Sequence, residues 1–264
     1  MSSTGTSFLP GSVGVRLIGG PTALIEMGGL RLLTDPTFDP PGDHPVGNRV
    51  LVKTHGPAVS PDGIGAVDAV LLSHDQHPDN LDDTGRRLLD TVPAVLTTGS
   101  AASRIGGTTQ SLAPWRRVLL PRPAGGELRV TGVPAQHGPD GTEAVTGEVT
   151  GFVLSGEGLP TVYVSGDNAS LGVVLAVAEH LGPIDVALLF AGAARTPLLD
   201  AYLTLTSDQA ARAARVLDAP VVIPVHIEGW QHFTQGPETI APAFARHGAS
   251  GQLRLLAPGE STTT

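Results

Sequence analysis

The sequence predicts a mixed α/β fold in one domain spanning residues 1–264, and three observations carry that prediction. Short apolar runs bounded by glycine or proline open the chain. From Val67 onward, apolar runs alternate with helix-like stretches, and neither a linker nor a repeat of fixed period divides the sequence. A strand-rich start followed by such alternation describes a mixed α/β chain.

In order along the chain, residues 13–18, 23–27 and 30–34 read as three strands of a meander, with Gly28-Gly29 as a hairpin turn. Asp35-Pro36 closes the third strand, and the Pro/Gly-rich residues 39–48 are expected to form a loop. A largely apolar run at 67–72 predicts a strand, 82–89 a helix and 94–97 another strand. Further strands are expected at 127–135, 151–154, 161–164, 186–190 and 221–225, and helices at 170–180 and 207–217.

Composition narrows the class of protein. Hydrophobic residues make up 41% and charged ones 16%, enough for a substantial core and too little charge for intrinsic disorder. The net charge of −9 comes with no basic stripe, which excludes the phosphate-backbone electrostatics of nucleic-acid binding. Without cysteine there are no disulfides and no thiolate ligands, so any metal must be held by histidine and carboxylate. Met1 to Pro10 has neither a positive n-region nor an apolar h-region, so no secretory signal is expected. The longest apolar stretches, such as 186–194, fall short of the roughly 20 residues of a membrane helix. A cytoplasmic protein acting on a small molecule, with neither nucleic acid nor membrane as partner, is the expectation. The sequence leaves its oligomeric state open, a homo-oligomer included.

The informative pattern is positional. Several separate apolar runs end in a residue type that binds metal. Residues 67–73 lead into His74-Asp75-Gln76-His77-Pro78-Asp79-Asn80, 128–136 end at His137, 161–166 at Asp167 and 221–225 at His226. Strand ends share one edge of a sheet, where loops on a rigid scaffold carry function. Taken singly, each histidine reads as a surface or hydrogen-bonded core residue, and Asp167 as a turn or capping residue. The ordered set changes that balance, because imidazole and carboxylate are the ligands suited to zinc, manganese or iron, and a bound metal lowers the pKa of water towards neutrality.

This set resembles the metallo-β-lactamase superfamily, and within it the branch of ascorbate-6-phosphate lactonase, over nearly the whole chain. Leu32-Leu33-Thr34-Asp35-Pro36 is similar to the family's opening "DP" turn, and Leu71-Leu72-Ser73-His74 through Asp82 stands where its HxHxDH signature belongs. Pro134-Ala135-Gln136-His137, Ser165-Gly166-Asp167 and Ile223-Pro224-Val225-His226 match the third histidine, the bridging aspartate and the last histidine. The signature is altered: Asn80 replaces its last histidine, and its first is either Asp75 or, with a one-residue insertion, His74. Gly19-Gly20 stands where the family's first hairpin turn has glycine-histidine.

The resemblance implies a four-layer αββα sandwich. It places His77, His137 and Asp167 around a first metal, with His74 or Asp75 as fourth ligand, and Asp79, Asp167 and His226 around a second one weakened by Asn80. One tight zinc or manganese is therefore expected, with a second, looser one, iron and nickel being compatible. The implied activity is metal-dependent hydrolysis of an ester, lactone, amide or phosphoester. Asp79 would orient the water or pass a proton, Asn80 would donate to substrate or to a developing oxyanion, and His232 would contact substrate or the ligands. Trp230 and His232, in the loop 228–233, are candidate pocket residues, and Arg195 a candidate for an anionic substrate group. His44, His55, His180 and His247 lack motif context and read as surface residues. No G-x-S-x-G elbow, phosphate-binding G-x-x-x-x-G-K-[ST] or dinucleotide G-x-G-x-x-G is present, which removes the main competing enzyme classes. Two rivals stand beside hydrolysis: non-hydrolytic metal chemistry on the same fold, and a degenerate member that binds a ligand without catalysis.

Overall fold

The computed structural model describes residues 11–264, so the expectation for Met1 to Pro10 lies outside the described residues. Strands β1 (Val13–Gly19), β2 (Thr22–Met27) and β3 (Leu30–Thr34) form the expected antiparallel meander. Its second turn uses Gly28 at φ 61° and Gly29 at φ 82°, the left-handed conformations that a two-residue hairpin requires and that glycine adopts without a Cβ clash.

Residues 39–48 are not wholly a loop. Strands β4 (Gly42–Val46) and β5 (Arg49–Lys53) pair as a separate hairpin, with Gly47 turning at φ 58°. A two-stranded ribbon has only edge strands, and so tolerates the proline at position 45 that made this segment read as loop.

The first sheet continues through α1 (Pro61–Ile64), β6 (Ala69–Leu71), α2 (Asp83–Leu89), β7 (Val95–Thr97), α3 (Gly99–Ile105) and β8 (Thr109–Ser111), its strands β3, β6, β7 and β8 paired in parallel. The second sheet comprises β9 (Arg117–Pro121), β10 (Glu127–Pro134), β11 (Thr150–Ser155) and β12 (Val162–Val164), with α4 (Glu143–Thr146) between β10 and β11. It is completed by β13 (Val186–Phe190) and β14 (Val221–Val225) in parallel, joined through α5 (Leu171–Leu181) and α6 (Ser207–Leu217). Helix α7 (Pro237–Arg246) follows, and β15 (Ser261–Thr263) returns to pair with β1.

Alternation of side chains along the strands builds the layers. Leu17, Ile25, Leu32 and Leu71 from the first sheet meet Val130, Phe152, Leu188 and Ile223 from the second in one buried core. Their neighbours in sequence face outward: Leu24, Leu33 and Val70 pack with Ile64 and Leu89 of the helices on one side. Ala187, Leu189 and Val222 pack with Val174, Ala210 and Phe244 on the other. The result is the αββα sandwich.

Candidate metal centre

Sheet direction brings the candidate ligands together. β12, β13 and β14 run parallel, and β10 shares their direction because β11 is antiparallel to both β10 and β12. The turns after β10, β12 and β14 therefore deliver His137, Asp167 and His226 to one edge. From the facing sheet, β6 ends at the same edge and leads into residues 73–82, where His77 carbonyl accepts from the amides of Asn80 and Leu81 and curls the segment into a turn.

Two groups result: His74, His77 and His137, and Asp79, Asp167 and His226. His77 Nδ1 lies 3.0 Å from His74 Nε2 and 3.4 Å from His137 Nε2. Asp167 links the groups, its Oδ2 standing 3.4 Å from His137 Nε2 and its Oδ1 3.0 Å from His226 Nδ1. His226 Nε2 lies 3.3 Å from Asp79 Oδ2. All except His77 are buried, His74 and His226 completely.

Short distances here do not mean satisfied hydrogen bonds. Both ring nitrogens of His226, together with Asp79 Oδ1 and Asp167 Oδ2, are buried without a hydrogen-bond partner. Unpaired buried polar atoms cost about 1–3 kcal/mol each, so lone pairs gathered in this way fit a cation between them. Donors about 2.1 Å from one shared ion are separated by about 3.0–3.4 Å, the spacing this set shows. The residues present thus fit a divalent metal held by nitrogen and oxygen.

Electrostatics divide the two groups. Burial, then the neighbouring His137, lowers His77 to about 4, and burial, then His77, lowers His74 well below the usual imidazole value. Both rest neutral, the form that ligates. Burial opposes the charge on Asp79 and Asp167, but the adjacent histidines outweigh it and hold both carboxylates well below their usual range: chiefly His232 for Asp79, and His226, then His137, for Asp167. Burial likewise opposes a proton on His226, yet Asp167 and Asp79 raise it to about 10.

Supporting contacts fix these side chains. His137 Nδ1 sits 2.7 Å from Leu203 carbonyl, and Ser73 Oγ lies 3.0 Å from His74 Nδ1. Asp35 accepts from Ser73 amide at 2.5 Å, and burial pushes its carboxyl up to about 7. His226 occupies the left-handed region at φ 57°, uncommon for a bulky residue. Its amide donates to Gly20 carbonyl at 2.8 Å, which holds that turn.

Four sequence expectations are corrected. Asp75 is not beside the histidines; its carboxylate accepts from Arg104 Nη2 at 2.5 Å and Nε at 3.0 Å, and His74 takes the contested place. Asn80 is not free to donate to a substrate: fully buried, its amide nitrogen faces Asp35, Asp167 and Ser73 at 3.2, 3.3 and 3.4 Å. Trp230 is no pocket wall for a substrate, being buried beneath Lys53 and beside His44. Arg195 is not among the four: it lines a cavity at the site, with Asp200 as its ion-pair partner and the Tyr202 ring beside it. His44 is partly buried rather than a surface residue, with Nδ1 3.8 Å from Asp39.

His232 does stand at the site, with Nε2 3.0 Å from Asp79 Oδ2. It also lines a cavity of about 690 Å³ together with Arg49, Leu51, Arg195, Thr196 and Gln231. Sequence reasoning missed Arg49, which carries no motif; it reaches this cavity only because the β4–β5 hairpin folds over the site, where it donates to Thr196 Oγ1 at 2.6 Å.

Comparison with known proteins shows what the chain and its fold are similar to. Residues 30–227 match the family described as β-lactamase superfamily domain. A UPF0173 metal-dependent hydrolase of Pyrococcus furiosus is 28% identical over 204 residues, covering 77% of this chain and 84% of that protein. The crystal structure of isothiocyanate hydrolase from Delia radicum gut bacteria superposes with a TM-score of 0.79 at 20% identity, covering 94% of this chain and 98% of that one. CmlA, a diiron β-hydroxylase from Streptomyces venezuelae, does so with a TM-score of 0.68 at 17% identity, over 98% of this chain and 55% of that one.

Proposed function

We propose, because the chain belongs to the β-lactamase superfamily domain family, that it is a metal-dependent hydrolase cleaving an ester, lactone, amide or phosphoester of a small molecule. One observation carries this reading: six imidazoles and carboxylates, all but His77 buried, converge in two linked groups and leave lone pairs without partners. Stripped of a cation, such a set costs stability and does nothing. The relatives named metal-dependent hydrolases support it.

His74, His77 and His137 would hold one divalent ion, and Asp79, His226 and the bridging Asp167 a second. Such an ion, zinc or manganese in this donor set, lowers the pKa of water towards neutrality and polarises the bond to be broken. The chain's own residues supply the rest. Asp79, held charged, orients the attacking water or accepts its proton. The cavity beside His232 receives the substrate, with Arg49 and Arg195 offering guanidinium groups to an anionic portion and Val50, Leu51, Val52 and Pro197 an apolar wall.

A second reading, metal-dependent chemistry without hydrolysis, rests on Asn80, which removes one imidazole from the second group, and on the fold shared with a diiron β-hydroxylase. The two are separated by assaying metal-loaded protein against a panel of aryl esters, lactones, amides and phosphodiesters. Hydrolysis of at least one class, abolished both by chelation and in His137→Ala, is the expected result. Turnover that persists in His137→Ala overturns both readings, and a metal-replete protein inert across the panel leaves the second.

A further inference from the structure

The second group offers three donors where the family's signature supplies a further imidazole, because Asn80 stands at that position. Asn80 makes no replacement ligand. Its amide nitrogen faces three oxygens, and turning the amide over would set its carbonyl against the Asp167 carboxylate, which its histidine neighbours hold charged, so hydrogen bonding fixes it as a donor.

A different imidazole, outside the group of three, reaches the Asp79 carboxylate. His232 Nε2 lies 3.0 Å from Asp79 Oδ2, the atom that stands 3.3 Å from His226 Nε2. That separation belongs to the series found between the other candidate ligands. The backbone holds the ring there from both flanks. Gln231 amide donates to Val52 carbonyl on the hairpin at 3.0 Å, Arg195 amide donates to His232 carbonyl at 3.2 Å, and Thr234 amide donates to Gly192 carbonyl at 3.1 Å. A histidine merely lining a cavity needs no such two-sided anchorage, whereas a ligand must be held within about 0.5 Å of its working place.

We infer that His232 is a ligand of the second metal, taking over the imidazole role that Asn80 has given up. The inference rests on the metal-centre reading above and adds a residue from the loop after β14 to it. It ties metal loading to the substrate cavity, since His232 belongs to both.

The test is metal binding, read independently of turnover. Stripped protein is titrated with zinc, then with manganese, and the stoichiometry is measured by calorimetry and elemental analysis. The variants are His232→Ala, His232→Gln and the double variant His232→Ala with Asn80→His, with circular dichroism of the stripped proteins confirming the fold. Glutamine keeps a hydrogen-bond donor for Asp79 but is a poor ligand. The expected result is two ions in the wild type, a second ion weakened by about 100-fold or more in both single variants, and recovery in the double variant. Two ions bound with unchanged affinity in His232→Gln overturn the inference and leave His232 as a residue that positions Asp79. One ion in the wild type, unaffected by either single variant, overturns it while leaving the triad intact. No ion in the wild type removes the metal-centre reading itself.

Discussion

At the scale of single residues, His77 of one group and His226 of the other are shifted in opposite directions. His77, lowered to about 4 by burial and its neighbours, has no proton for a metal to displace at neutral pH. His226, raised to about 10 by Asp167 and Asp79 against the effect of burial, holds one. A ligand nitrogen must lose its proton before it binds, so affinity at the second position falls about tenfold per pH unit below the raised value, while His77 imposes no such loss until the pH approaches 4. Acidification from pH 8 to pH 6 is therefore expected to release the second ion and retain the first, measured as atoms per chain after dialysis at each pH. Simultaneous loss of both would show that the groups titrate as one. Which histidines gather was legible in the sequence, because each follows an apolar run. What each carboxylate does was not: Asp75 and Asp79 are four residues apart and equally acidic on paper, but only the fold puts Arg104 beside the first and two histidines, His226 and His232, beside the second.

At the scale of elements, the site depends on the hairpin that sequence reasoning took for a loop. β5 reaches the core of the site through Lys53, whose ammonium lies 2.9 Å from Asp82 Oδ2, both side chains being almost fully buried. Asp82 also caps α2 by accepting from Gly85 amide at 2.8 Å, and its Oδ2 accepts from Asp39 amide at 2.6 Å. One carboxylate thus joins the hairpin, the loop before it and the helix that follows the ligand segment. Breaking a buried pair from one side leaves an uncompensated charge, which costs about 3–5 kcal/mol. Lys53→Met is expected to destabilise the protein by that amount in denaturant titration and to raise KM more than it lowers kcat, since the hairpin carries Arg49 and one wall of the cavity. A change confined to kcat would place the hairpin's role at the metal instead of the substrate. Three of the elements missed from sequence share a cause. β8 is polar and three residues long, α7 contains Pro242, and β15 is a serine-threonine run, so each is dictated by its neighbours rather than by its own periodicity.

At the scale of the whole molecule, three separate hydrophobic clusters hold the layers together, and the buried polar residues of the centre lie outside them, at the edge where both sheets end. This separation has a thermodynamic consequence. The clusters keep the fold when the centre is stripped, so chelation should leave the far-ultraviolet circular dichroism unchanged. Yet the orphaned nitrogens and oxygens of His226, Asp79 and Asp167 remain unpaired in the stripped state, and a ligand that binds only the folded chain stabilises it by mass action. An ion at about one hundred times its Kd contributes about 2.7 kcal/mol, and for a chain of this size each kcal/mol moves Tm by about 2–4 °C. Chelated protein is thus expected to melt about 5–10 °C below the loaded form in differential scanning calorimetry. The gap should shrink in His137→Ala, which removes one ligand of the triad, and should persist in Asp75→Asn, whose side chain faces Arg104. A gap equal in both variants would mean that the ion stabilises the chain from somewhere other than the six convergent residues.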